Sequence, residues 1–459
     1  MRVAVVGGGV SGLAAAHRLR ALLGDRAAIT VCEAGDVLGG KLRTVELAGR
    51  SFDVGAEAFL ARRPEAVDLA RELGLEAELT HPTGAKATVR AGGRTVPLPA
   101  GTVMGVPASR DAVAGVLSAE GGERVAAEPS LPRLELAEDD VSLGGLLRRR
   151  FGDELVDRLV DPLLGGVYAG GADGLGLRAT LPALAAALDA GAGSLTEAAS
   201  RQLPATPGTS PVFATLTGGL GTLVAQLEKA SAAHVRRGAP VLSLARLPEG
   251  GWRLTFGDGG PLEADAVLLA VPPPAARRLL ADVAPEASAA FAGVELASMA
   301  VVALALPPGT DPPRASGVLI GQGERHADGR PFTAKAFTFS ARKWAHHLTE
   351  GLPVLIRGSV GRFGETESLR ATDAELVRLV RDDLAALTGI TAEPVDALVH
   401  RWGGGLPQYG TGHTERVARI ERAVAAVPGL EVAGAALHGV GIPACVATAE
   451  VAARRLVGR

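Results

Sequence analysis

Gly7-Gly8-Gly9-Val10-Ser11-Gly12 follows directly on the strand-like run Arg2-Val3-Ala4-Val5-Val6 and opens a stretch of helical composition, Ala14-Ala15-Ala16-His17-Arg18-Leu19. A strand that turns through glycines into a helix is a tightly constrained unit. One glycine permits the sharp turn, a second lets a ligand approach the backbone, and a third lets helix and strand touch. Gly7, Gly9 and Gly12 stand at those places. The helix start offers free N–H donors and a positive dipole end, which suits a dinucleotide pyrophosphate. A second strand, Ile29-Thr30-Val31-Cys32-Glu33, ends in a carboxylate. Glu33 lies at the offset of about 20 residues expected for an acid that binds ribose hydroxyls.

The chain has 459 residues, 47% hydrophobic and 21% charged, which predicts a globular protein of two or three subdomains. Its net charge of −3 gives no general attraction to nucleic acid. Cys32 and Cys445 form neither a Cys-x-x-Cys pair nor a zinc pattern, so no metal site is expected and a cytoplasmic, reducing setting is the simplest. The apolar start is broken by glycines and makes a poor signal peptide. No apolar run reaches the roughly 18 residues of a membrane span, and Ala297 to Leu306 reads as a buried strand. Peripheral membrane contact stays open.

Gly39-Gly40-Lys41-Leu42-Arg43 suits a loop that covers a phosphate, although a hairpin turn would use the same residues. From Val103 to Pro207 apolar residues recur at helical spacing, and residues 120–140 read as an exposed loop. Strands return at Ala239–Leu244 and Trp252–Phe256, joined by a hairpin at 248–251, and Ala264–Val271 reads as a fully buried strand. A further sheet-forming region runs from Val294 to Val399 and contains a helix near Asp373–Leu387. The chain then repeats strand, glycine loop and helix: Leu430–Gly434, Gly439-Val440-Gly441-Ile442-Pro443, and a helix to Val457, with Pro443 suited to a first helical turn. The two ends are therefore expected to build one nucleotide-binding domain.

The fingerprint, Glu33, the Gly39-Gly40 loop and Gly439–Pro443 together resemble the superfamily of FAD-dependent amine oxidases, phytoene desaturases and protoporphyrinogen oxidases. Within it, Val103–Pro107, Gly165-Gly166-Val167-Tyr168-Ala169-Gly170, Leu216–Leu220, Trp402, Leu406-Pro407-Gln408-Tyr409 and Gly412-His413 are similar to the oxygen-dependent porphyrinogen oxidases. The resemblance runs over nearly the whole chain. It implies an α/β fold with a Rossmann-like FAD-binding domain built from discontinuous segments (1–80, 208–290 and 398–459). A mixed-sheet substrate domain (81–102 and 291–397) and a helical subdomain (103–207) complete it.

The same resemblance implies FAD contacts at Gly7, Gly8, Gly9, Val10, Ser11, Gly12, Glu33, Ala34, Gly40, Lys41, Arg43, Gly55, Ala56, Glu57 and Ala58. Further contacts are implied at Val241, Trp402, Gly434, Gly439, Val440 and Gly441. It puts Arg63 forward as a partner for a substrate carboxylate, where the bland reading is a solvated helix start. Gly166 is placed near the reacting face, with the flavin rather than any side chain doing the chemistry. His413 invites a catalytic reading, but a loop-organising histidine is commoner. The implied reaction is oxidation of coproporphyrinogen III to coproporphyrin III by O2 with release of H2O2, in heme biosynthesis. Protoporphyrinogen IX is the alternative substrate.

An amine oxidase would usually carry an acid where Ala435 stands, and a flavin-binding protein without turnover is the remaining class. Ala444 and Ala435-Ala436-Leu437 depart from the porphyrinogen oxidase pattern and bear on substrate contacts more than on flavin. Transient contact with a downstream chelatase follows from the chemistry of the pathway alone.

Overall fold

The computed structural model describes residues 1–136, 139–204, 211–257 and 259–458. Its organising element is a five-stranded parallel sheet in the order His234–Arg236, Ala28–Cys32, Arg2–Val6, Ala266–Leu269, Leu430–Val432. Val3 pairs with Ile29 on one side and with Ala266 on the other, and Val267 pairs with Leu430. Strands from the beginning, middle and end of the chain thus lie edge to edge. Parallel strands are covered on both faces, which is why these read as unbroken apolar runs. The Val10–Leu23 and Ile442–Leu456 helices pack on one face, and the three-stranded Val241–Ala264 meander with the Pro273–Leu280, Pro285–Ala292 and His413–Ala425 helices covers the other.

A second, seven-stranded mixed sheet runs Asp396–Pro407, Leu296–Leu306, Val354–Val360, Ala334–Thr338, Gly317–Ile320, Ala87–Ala91, Arg94–Pro97. All its pairings are antiparallel except that of Gly317–Ile320 with Ala87–Ala91. One face is sealed by the Asp373–Thr388 helix through Leu376, Val380 and Leu384, a stripe spaced at four residues. That helix starts in a capping box, Thr372 with Glu375, and stops at Gly389 with φ 76°. The other face meets Leu47, Phe52 and Val54 beside the Thr44–Asp53 hairpin.

The third body is helical and has its own core, running from Val113 through Leu155, Leu164 and Leu188 to Ala199, joined by Tyr409. Within it, residues 120–140 are not the exposed loop that their composition suggests. Ala119–Ala127 is a helix, and Glu128 is fully buried. Glu128 accepts the backbone N–H groups of Leu195 and Thr196 and pairs with Arg150 at 2.8 Å, so it caps the Leu195–Gln202 helix from outside that helix. Part of that call, residues 137 and 138, lies outside the described residues, as does the 207/208 boundary expected between units.

Candidate functional site

Of the three fingerprint glycines, two are fixed by the protein's own packing. Gly7 has φ 106°, and a β-carbon there would lie 2.3 Å from the Ala270 carbonyl oxygen. A β-carbon on Gly12 would lie 1.8 Å from the Gly7 oxygen. Gly9 is different. Its φ is −73° and the nearest heavy atom to an added β-carbon is Gly40 Cα at 3.9 Å, so nothing in the protein demands a glycine there. The space beside it is open to something from outside. Gly39 N donates to the Gly8 oxygen at 2.8 Å and holds the Gly39-Gly40 loop against this opening.

The Val10–Leu23 helix begins at Gly9 with no side-chain cap and no acidic residue in its first turn, although Val10, Ser11 and Gly12 are buried. Buried helix N–H groups without a cap need an acceptor. The Ile442–Leu456 helix, which packs against the first, begins at Gly441 in the same way, uncapped and without an acid. Lys41 and Arg43 have no carboxylate partner among the described residues, and burial pushes the Lys41 ammonium below its ordinary pKa. Two uncapped helix starts and two cations without a carboxylate partner fit a group that carries phosphates.

Glu33 accepts N–H groups from Gly8 (2.7 Å) and Gly35 (2.8 Å), which fixes the carboxylate beside the fingerprint. Gly238 N and Ala239 N bond to the Gly35 and Glu33 carbonyls, so the chain reaches Val241 from beside Glu33 while Ala34 is exposed. Gly55 packs on the back of Lys41, where a β-carbon would lie 1.9 Å from the Lys41 oxygen, and Ala56 N donates to that same oxygen. Trp402 Nε1 donates to the Val54 carbonyl at 2.8 Å.

At the far end of the chain, Gly434 approaches Ser11 and its N–H is held by Thr448. Gly439, at φ 149°, leaves no room for a β-carbon beside Ala444. Val440 packs on the helical core. The contacts link the cofactor residues expected from the sequence in three groups: 7–12 with 33–34 and 241, 40–43 with 55–58 and 402, and 434–441, the last touching the first through Gly434 and Ser11.

The two substrate candidates are not brought together. Arg63 stands at the N-cap position of the Pro64–Glu72 helix without capping it, its side chain is 44% exposed, and it pairs with Glu65. No hydrogen bond or ion pair among the described residues links it to the Asp161–Tyr168 helix that carries Gly166. The β-carbon position of Gly166 instead lies 3.7 Å from Leu319 of the seven-stranded sheet.

The interior motif residues form one buried cluster. Gln408 Nε2 donates to the Tyr168 carbonyl at 2.7 Å, and Tyr409 Oη donates to the Ala435 carbonyl at 2.7 Å. His413 stacks on Tyr409 with ring centroids 3.9 Å apart, and its Nε2 lies 3.1 Å from the Leu437 oxygen. Burial lowers the His413 pKa to about 4, so at neutral pH it is an uncharged strut for the 434–441 loop.

Sequence reasoning missed Arg357. Its guanidinium donates to the Gly55 (2.6 Å) and Asp53 (3.2 Å) carbonyls and lies 3.9 Å from Glu57. Burial alone would raise the Glu57 carboxyl, but Lys343, Arg357 and the Trp344 indole N–H outweigh it and hold the group below its ordinary pKa. A charge inside Val354-Leu355-Ile356-Arg357 was the available signal. Among the described residues no helix is long and apolar enough to cross a membrane, and no cluster of His, Cys, Asp or Glu is placed to hold a metal.

Residues 10–457 match the family model described as flavin containing amine oxidoreductase. The coproporphyrinogen III oxidase of Mycobacterium tuberculosis is 45% identical, with 97% of this chain and 95% of the relative covered. The coproporphyrinogen III oxidase of Bacillus subtilis is 33% identical over the same shares, and the protoporphyrinogen oxidase of Bos taurus is 28% identical over 99% of this chain and 98% of its own. A crystal structure from Exiguobacterium sp. 255-15 superposes with a TM-score of 0.87 at 33% identity, covering 100% of this chain and 99% of that one.

Proposed function

The chain belongs to the flavin containing amine oxidoreductase family, and on that premise we propose that it oxidises coproporphyrinogen III to coproporphyrin III, with FAD as cofactor and O2 as acceptor. The observation that carries this reading is the 45% identity, end to end, with relatives that bear that name. Bound FAD supplies the hydride acceptor for each carbon-bridge oxidation and returns the electrons to O2 as H2O2.

The work of this chain is to bind, orient and exclude water. We assign the pyrophosphate to Gly7, Gly8, Gly9, Val10, Ser11 and Gly12 with Gly40, Lys41 and Arg43, and the ribose and adenine to Glu33, Ala34 and Val241. Gly439, Val440 and Gly441, at the positive end of the Ile442–Leu456 helix, would hold the flavin ring, where that helix end would favour negative charge. Gly55, Ala56, Glu57, Ala58, Trp402 and Gly434 complete the cradle. What supports these assignments is the uncapped pair of helix ends and the open space at Gly9. Gly166 is assigned to the substrate side, and Arg63 stays a candidate carboxylate partner that would have to leave Glu65. The units follow the same division: 1–80, 208–290 and 398–459 for FAD, 81–102 and 291–397 for substrate, 103–207 helical. A cytoplasmic setting rests on the cysteine usage, and hand-over of product to a chelatase on the chemistry of the pathway alone.

Six hydrogens leave per molecule, as three hydrides and three protons, four of them from the carbon bridges and two from the pyrrole nitrogens, which requires three rounds. The test is aerobic oxidation of coproporphyrinogen III by the flavin-loaded protein with peroxide counted. The expected yield is three H2O2 per coproporphyrin, and no turnover of any porphyrinogen despite bound FAD would overturn the reading.

A further inference from the structure

Lys335 lies in the Ala334–Thr338 strand, between Ala334, which pairs with Val360, and Ala336, which pairs with the neighbouring Ser359. It is therefore the extra residue of a bulge, a device that re-aims a side chain. Ala334 and Phe337 point into the core under the Asp373–Thr388 helix. Ala336 is paired with Leu319, which faces the other way, onto the helical body and Gly166. The bulge turns Lys335 to that second face, where its electrostatic neighbours are Arg357, Arg362 and Glu365.

The side chain is 4% exposed, and its Nζ has no hydrogen-bond partner among the described residues. Burial and the two guanidiniums bring its pKa down to about 7. Neither guanidinium is short of acceptors: Arg357 bonds to the Gly55 and Asp53 carbonyls, and Arg362 to the Ile320 carbonyl at 2.9 Å. Of the other charged groups nearby, Asp161 on the Gly166 helix is spent on Ala172 N, and Asp383 with His326 lies on the opposite face, bonded to Thr333 N and Ala334 N. The Gly317–Ile320 strand brings no charge.

We propose that Lys335 is a specificity-determining residue whose Nζ receives a carboxylate of the porphyrinogen on the sheet face opposite Gly166. The inference rests on the reading of the substrate given above. A buried donor without an acceptor calls for one. Two guanidiniums close by oppose a further cation and outweigh the single carboxylate of Glu365, which is shared with Arg362, so the site favours an incoming anion. An incoming carboxylate keeps the ammonium protonated and forms a charge-assisted hydrogen bond with it.

The test uses the FAD-loaded full chain as wild type, Lys335→Met and Lys335→Arg. Each is titrated with coproporphyrin III and its tetramethyl ester, and with protoporphyrin IX and its dimethyl ester, followed by fluorescence quenching. In Lys335→Met the Kd for coproporphyrin III rises about tenfold, the scale of one charge-assisted contact, while the ester binds as it does to wild type. Lys335→Arg keeps most of the preference for acid over ester. The Tm of Lys335→Met is not lowered, because an apolar side chain replaces an unpaired buried amine.

Unchanged affinity for the acid overturns the proposal, as does an equal loss for acid and ester with a lower Tm, which marks a packing role. A wild type that prefers protoporphyrin IX overturns only the coproporphyrinogen reading, and the acid-to-ester comparison on protoporphyrin IX then decides Lys335. A wild type that binds no porphyrin overturns both.

Discussion

The proposed cofactor cradle and the inner face of the seven-stranded sheet meet at Gly55, yet they are made of different materials. The cradle is backbone: glycines that leave room, N–H groups at two uncapped helix ends, and carbonyls that fix the loops. The sheet face is side chain: Arg357 reaches across to the Gly55 carbonyl, Leu319 faces Gly166, and Lys335 is turned inward by a bulge. A backbone site is constrained by sterics at positions such as Gly7 and Gly12, whereas a side-chain site can change with the ligand while the sheet stays intact. On the proposed function, what is general in this molecule belongs to the cradle and what is selective to the sheet.

The largest effect is expected from Gly12→Val. Its β-carbon would have to occupy space 1.8 Å from the Gly7 oxygen, and the helix cannot withdraw without opening the core beneath it. The expected product is insoluble or colourless protein, read from expression and flavin absorbance. A yellow, fully loaded variant would break the claim that packing fixes this glycine.

Next comes Arg357→Met, which leaves Glu57 buried with only Lys343 and Trp344 for support. Removing one side of a buried pair costs about 3–5 kcal/mol, measurable by denaturant unfolding.

Gly9→Ala sharpens the contrast within the fingerprint. Its β-carbon meets no protein atom closer than 3.9 Å, so the apoprotein should melt within a degree or two of wild type, roughly the shift of a neutral surface change. The affinity for FAD should fall by about tenfold or more. Equal losses in apo stability and FAD affinity would erase the distinction between Gly9 and its neighbours.

The smallest effect concerns Asp53, which accepts from Thr44 Oγ1 and from Leu220 N beneath the Gly55 turn. Burial, opposed by those bonds, raises its pKa from 3.8 to about 6. The folded protein therefore holds the proton more tightly than the unfolded chain, so this carboxyl favours the fold at low pH and that contribution is lost as pH rises through about 6. Asp53→Asn should flatten the fall in Tm between pH 4 and pH 6, and an unchanged profile would remove Asp53 as its source.

The same contrast explains what could be read from the chain before its structure was known. Gly7, Gly12, Glu33 and Gly439–Pro443 are local signals, each set by a turn or a helix start, and the strands at Trp252–Phe256 and Ala266–Leu269 and the helix at Asp373–Thr388 lie where their patterns place them. Glu128 and Arg357 are charges buried by partners far away in sequence, Leu195 and Gly55, and composition cannot report such partners. It made 120–140 read as solvent-facing and gave Arg357 no role. Arg63 shows the converse, since a basic residue in a suggestive motif sits against its own neighbour Glu65. Lys335 depends on a one-residue irregularity in pairing, which no periodicity reveals.

The most direct measurement compares kcat/KM for coproporphyrinogen III and protoporphyrinogen IX on one FAD-loaded preparation, followed by porphyrin fluorescence in air. The account predicts the higher value for coproporphyrinogen III by about tenfold or more, the discrimination expected when extra carboxylates find fixed partners. Equal values, or a preference for protoporphyrinogen IX, would contradict it.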